Sequence, residues 1–191
     1  MELTGHQVIP ASLQRTWQAL NDPQTLKACI TGCESIEATA PNTYAVTMTA
    51  KVGPISARFK GRLHLSDIQP PTSYKILFEG QGGIAGFGKG TATVQLSPQG
   101  TETGLEYRAN AQVGGKIAQI GSRLVDASAR KIADDFFTAF NKRLSEDSGN
   151  AEEVPYAALN PHEIEAENRG WIRRLLDIFG RDRSREPQVN K

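Results

Sequence analysis

Cysteine is scarce in this 191-residue chain: Cys29 and Cys33 are the only two, spaced C-x3-C. With no further cysteine and no histidine beside them, they form neither a structural zinc site nor the C-x-x-C redox spacing. Two reduced, partly buried thiols in a cytoplasmic protein are therefore expected. Long apolar runs are missing as well. No stretch approaches the roughly 20 residues that a transmembrane helix needs. The opening MELTGHQVIP has neither the basic nor the apolar region of a signal peptide. An excess of either charge is absent too: 22 Lys+Arg stand against 21 Asp+Glu, net +1, which points to no nucleic-acid partner. The three histidines, His6, His64 and His162, are scattered and suggest no metal site.

What the chain does have is alternation. Residues 2–9 read as a first strand ending at Ile9-Pro10. Ser12 then caps a short helix that runs to Leu20 and buries Trp17 and Leu20. Asn21-Asp22-Pro23 starts a second short helix, with Pro23 in its first turn, stopped by Thr31-Gly32. From Cys33 to Gly115 apolar and polar residues alternate through about six strands. Tyr44, Val46, Met48, Ala50 and Val52 share one face; so do Ala57, Phe59, Gly61, Leu63 and Leu65. Tyr74, Ile76, Phe78; Ala92, Val94, Leu96; and Leu105, Tyr107, Ala109, Ala111, Val113 continue it. Gly53-Pro54, Pro70-Pro71 and Ser97-Pro98-Gln99-Gly100 are the turns. Loops this short make the strands antiparallel, with one wet and one apolar face.

Lys116–Leu144 is proline-free, and its apolar residues recur at helical spacing, so the pattern predicts one helix of about eight turns, roughly 44 Å long. Its buried stripe is graded in size. Gly121, Ser128 and Ala129 lie early; Phe136, Phe137 and Phe140 lie late. On a sheet, such a helix closes the core at the bulky end and leaves room at the other, or else its small residues only let it sit closer. The whole pattern predicts an α+β helix-grip architecture. A strongly curved antiparallel sheet of about seven strands, with two short helices and one long C-terminal helix, would grip an internal apolar cavity. Candidate cavity residues are Tyr44, Val46, Met48, Phe59, Leu63, Ile76, Phe78, Phe87, Tyr107 and Ala109 of the sheet and Leu124, Val125 and Ser128 of the helix.

Gly80–Gly90, GQGGIAGFGKG, imitates a phosphate loop, since Gly83–Lys89 fits G-x-x-x-x-G-K. Gly90 stands where Ser or Thr must bind Mg²⁺, and a strand follows instead of a helix, so nucleotide binding is not expected. Glycines that bend the sheet, or a flap at a cavity mouth bearing Ile84 and Phe87, fit better.

The charge balance conceals three regions. Residues 1–144 carry 15 basic and 11 acidic groups; residues 145–168 carry none and 7; residues 169–191 carry 7 and 3. The expected organisation is a ligand-binding domain at 1–144 and an acidic flexible spacer at 145–168. An amphipathic helix at 169–181 and a disordered tail at 182–191 follow. In that helix Trp171, Ile172, Leu175, Leu176 and Phe179 share an arc, with Arg173 and Arg174 on the other side. Too short to span a bilayer, it suits a membrane interface with the arginines at anionic headgroups, or a protein surface.

Several stretches resemble the carbon monoxide dehydrogenase G-subunit family: Lys27-Ala-Cys-Ile-Thr-Gly-Cys-Glu34, Val52-Gly-Pro-Ile-Ser-Ala-Arg-Phe-Lys-Gly61, Gly80-Gln-Gly-Gly, Gly114–Asp126 and Ala129–Phe137. The resemblance covers residues 1–144, with Thr31 where members often carry proline. It implies a START-like, Bet v 1-like fold with a hydrophobic cavity and no redox chemistry of its own. It further implies an accessory role beside a molybdenum hydroxylase such as CO dehydrogenase, attachment of that enzyme to the inner face of the cytoplasmic membrane, and an apolar ligand such as a quinone or lipid. No cofactor is expected beyond that ligand.

Two other classes stay open. Related helix-grip proteins include cyclases and hydrolases, but the inferred inward set contains no Asp, Glu, His, Lys or Arg to act as base or nucleophile. Tyr44 and Tyr107, with Ser128, are the candidate hydrogen-bonding groups, or else ordinary core tyrosines with the hydroxyl at a rim. A protein-interaction or maturation factor with a packed core and no ligand is the other alternative.

Overall fold

The computed structural model describes residues 1–148. Seven strands form one antiparallel sheet: β1 (Glu2–Ile9), β2 (Cys33–Ala40), β3 (Thr43–Val52), β4 (Ile55–Gln69), β5 (Ser73–Gln81), β6 (Phe87–Gln99) and β7 (Glu102–Gly114). Their order is β1-β7-β6-β5-β4-β3-β2. From β2 onward each strand is a hairpin partner of the next, as the short turns require. β1 alone departs, pairing with β7 in a register that sets Gly5 opposite Tyr107. β1 and β2 thus occupy opposite edges of the sheet, and the chain between them must cross its width. The two short helices, α1 (Leu13–Leu20) and α2 (Pro23–Cys29), make that crossing.

Local chemistry fixes both helices. Ser12 is the N-cap of α1 through its backbone, whose carbonyl accepts from Thr16 N at 2.9 Å, but its hydroxyl makes no capping bond. Asp22 caps α2 fully: its carboxylate accepts from Gln24 N (3.2 Å), Thr25 N (2.9 Å) and Thr25 Oγ1 (2.6 Å). The Thr25 hydroxyl, ahead of these backbone amides, holds the Asp22 carboxyl below its usual range.

The long C-terminal helix differs from its expectation. One continuous helix over 116–144 is replaced by a single turn, α3 (Lys116–Gln119), and then α4 (Ser122–Ser148). Gly121 is the corner. Its φ is +93°, a left-handed value costly for other residues, and its carbonyl accepts the first α4 bond from Val125 N. A Cβ at Gly121 would meet nothing within 4 Å. This glycine therefore serves the turn and not close packing or cavity space. α4 also runs past Leu144 into the first residues expected of the spacer, where Lys142 pairs with Glu146 and Ser145 Oγ bonds back to Asn141 O. The rest of the expected spacer, the 169–181 helix with its contact residues and the 182–191 tail lie outside the described residues.

The inner face of the sheet is packed at two places. At one end Ile9, Trp17, Leu20, Tyr74, Leu105, Phe137, Phe140 and Leu144 form the main core, with Phe140 fully buried. Phe136 stacks on Phe140 at 5.5 Å between centroids, and Tyr107 on Phe137 at 5.4 Å. Thr16 and Thr103, both fully buried, bond to each other and to the Ala11 carbonyl, tying α1 to β7 without an orphaned hydroxyl. At the other end Ala85, Ile117 and Val125 form a smaller cluster with Val52, Ile55 and Phe59. Both cysteines are free; Cys29 is buried and Cys33 half-buried, and burial raises both thiol pKa values.

Candidate functional site

Between the two clusters the inner face opens into a cavity of about 600 Å³. The alternation read from the sequence supplies its sheet wall. Register pairs Tyr44 with Leu63, Met48 with Phe59, Leu63 with Phe78, and Ala92 with Ala109, all on the inner side. α4 closes the opposite side with Val125, Ser128, Ala129, Ile132, Ala133, Phe136 and Phe137. Every expected cavity residue lines this space except Leu124. That side chain is 48% exposed and lies beside Gly53 at the tip of the β3–β4 hairpin. The corner at Gly121 turns α4 so that Val125, and not Leu124, faces inward.

The space has a specific origin in the sheet. Its inward positions include Gly80, Gly88, Ala92, Ala109 and Ala111, while Gly61, also on the wall, lets the β5 backbone come close, since a Cβ there would strike Glu79 O. Gly80 and Gly88 form a register pair, and a Cβ at either would first meet an atom only at 3.9–4.0 Å. Here glycine leaves room. Elsewhere glycine lets an aromatic ring lie down: Tyr107 lies across Gly5, Phe59 across Gly82 and Phe87 across Gly114, with no space for a Cβ beneath. Rings laid flat over neighbouring backbone leave the middle of the cavity clear. The Gly80–Gly90 segment thus carries two uses of glycine. A single 3₁₀ turn over Gly83–Ala85 exposes Ile84 (85%), and Gly86, at φ +115°, packs against Gly114-Gly115.

The polar groups are few. Ser128 lines the cavity, but its hydroxyl is committed: it donates to Leu124 O at 2.8 Å and accepts from Gly53 N at 3.1 Å. It pins α4 to the hairpin and has no proton left for a ligand. Tyr107 lays its ring and hydroxyl over Gly5 of the edge strand β1. Burial raises its pKa, the Asp134 carboxylate raises it further, and Arg130 opposes both. That is the rim placement. Tyr44 is half-buried on the wall. Arg62 and Glu79 border the space from outward-facing, exposed positions.

Sequence reasoning misses several lining residues. Leu26 and Ile30 face the cavity from α2 and its end, and Leu20 and Asn21 from the α1–α2 junction; two helical turns are too few for a periodic stripe to declare a face. Tyr74 alternates with Ile76 and Phe78, so its facing is legible, yet it lies outside the expected set.

A second hollow, about 680 Å³, lies on the wet face among Arg62, His64, Leu77, Glu79, Lys89 and neighbours. Its charges are of mixed sign. His64 shares a hydrogen bond there with Thr43 Oγ1 at 3.0 Å, and His6 is exposed. Among the described residues no His, Cys, Asp and Glu cluster is placed to hold a metal ion, and no helix is long and apolar enough to cross a membrane.

A seven-stranded antiparallel sheet bent around a long C-terminal helix, crossed by two short helices and hollow inside, defines a START-like helix-grip protein. The chain belongs to the carbon monoxide dehydrogenase G-subunit (CoxG) family, which it matches over residues 5–145. It is similar to a conserved protein from Geobacillus kaustophilus, at 30% identity and a TM-score of 0.73, covering 76% of this chain and 96% of that one. Its fold is also that of a START superfamily protein from Mycobacterium smegmatis (14% identity, TM-score 0.60, 76% and 97% covered). An aromatase/cyclase from a Streptomyces species shares the fold as well (10% identity, TM-score 0.56, 83% and 98% covered). A comparison with curated proteins found no match.

Proposed function

We propose that this protein is a non-catalytic carrier of an apolar ligand that serves as an accessory to a molybdenum hydroxylase of the CO dehydrogenase type. The observation that carries this reading is the cavity: about 600 Å³, apolar on its inward positions, and kept open by glycine and alanine where a packed domain would place larger side chains. Family membership supports the accessory role. A quinone or a lipid tail matches the volume and polarity of such a space. The inward-facing groups are apolar apart from tyrosine hydroxyls, Asn21 and the committed Ser128, which favours binding over turnover. The hollow favours this reading over a packed-core interaction factor, the other reading of the sequence.

The membrane half of the proposal rests on sequence alone. Trp171, Ile172, Leu175, Leu176 and Phe179 would enter the interface of the cytoplasmic membrane, with Arg173 and Arg174 at anionic headgroups, bringing the bound enzyme to its inner face. Extraction of the purified full-length protein and mass spectrometry of the extract tests the ligand. An apolar small molecule in stoichiometric amount is expected. Its absence, together with no saturable uptake of menadione or a fatty acid, would overturn the carrier reading. Deleting 169–191 should abolish binding to anionic vesicles; retention by the truncated domain would overturn the membrane reading.

A further inference from the structure

Buried hydroxyls in this domain are partnered, with one exception. Thr16 and Thr103 satisfy each other and the Ala11 carbonyl. Tyr74 is 4% exposed, held on β5 opposite Val94, with its ring edge-on to Trp17 at 5.5 Å. Its hydroxyl makes no hydrogen bond to any protein group among the described residues, yet it is not sealed by protein atoms, and the residue lines the cavity. A tyrosine hydroxyl in apolar surroundings is retained at a cost unless something accepts its proton. Burial raises its pKa, so it stays a neutral donor across the physiological range.

A second polar group lines the cavity from the α1–α2 junction. Asn21 lines the cavity and is fixed by its amide nitrogen, which donates to Trp17 O at 2.8 Å. That leaves the second amide hydrogen and the carbonyl oxygen uncommitted. Trp17 therefore positions both groups, Tyr74 through its ring and Asn21 through its carbonyl. Opposite, the phenylalanine cluster of α4 surrounds this end with apolar rings.

We propose that the closed end of the cavity is a hydrogen-bond site for an oxygen acceptor on an otherwise apolar ligand, with the Tyr74 hydroxyl as donor and Asn21, also held by Trp17, as a second polar group. This rests on the carrier reading and sharpens it: the ligand enters polar end first, and a carbonyl compound is preferred over a hydrocarbon of the same shape. Tyr107 and Tyr44, with less buried hydroxyls, do not share the role.

The test uses two probes on the full-length protein, menadione and its carbonyl-free counterpart methylnaphthalene, each displacing an apolar fluorescent dye. Tyr74→Phe, which keeps the ring against Trp17, should weaken menadione by about tenfold, the worth of one buried hydrogen bond. Methylnaphthalene should be unaffected. If Tyr74→Phe binds both probes as the wild type does, the hydrogen-bond site is wrong while the carrier reading stands. If the wild type binds neither probe, the carrier reading falls and this inference with it.

Discussion

The two halves of the sheet's inner face carry the same alternation and opposite contents. Toward one end, inward positions hold Tyr74, Val94 and Leu105, and α4 answers with Phe137 and Phe140; all are buried. Toward the middle, inward positions hold Gly80, Gly88, Ala109 and Ala111, and α4 answers with Ser128, Ala129 and Ala133; here the wall residues are only half-buried. Periodicity decides which face a residue takes, and residue size decides whether that face closes. A domain can concentrate its stability at one end and leave its middle for a ligand.

The comparison predicts unequal costs for equal truncations. Phe140→Ala should lose about 3–5 kcal/mol, because the closed end cannot collapse around the hole; chemical denaturation measures it. Asp22→Ala, at the helix bridging the sheet edges, should lose about 1 kcal/mol at neutral pH. The Asp22 carboxyl has a depressed pKa when folded, so its contribution is present above the ordinary carboxylate pKa of about 4 and is lost as pH falls through the folded value. Wild type and Asp22→Ala should therefore converge in thermal stability in acid and separate at neutral pH. Met48→Ala, on the open wall, should cost only about 1 kcal/mol or less, since it enlarges a space that already exists. A loss at Met48 equal to that at Phe140 would show that the middle of the domain is packed after all.

Strand boundaries, the inward face and the size gradient along the last helix are legible in the sequence because each depends on short-range alternation or on side-chain bulk. Two features are not. The corner at Gly121 hides in a stripe of small residues, and only its φ separates a turn glycine from a packing glycine. Leu124 departs from its expected face for the same reason, since a helix assumed continuous through Gly121 carries the wrong rotation into α4. The glycine-rich segment reads as bend or flap, and its contribution of empty space at Gly88 emerges only once its register partner Gly80 is known. Tyr74 shows the reverse: its facing is readable, but its missing partner is a fact of three-dimensional packing.

The central claim is that glycine holds the middle of this domain open for an apolar molecule. Gly88→Leu tests it most directly, because the position has room for a side chain and needs no special backbone conformation. Titration of the wild type and the variant with an apolar fluorescent probe should show saturable binding by the wild type. In Gly88→Leu the affinity should fall by at least about tenfold while the melting temperature is unchanged or higher, as buried methylenes replace empty space. Equal binding by a folded Gly88→Leu, or no saturable binding by the wild type, would contradict the account.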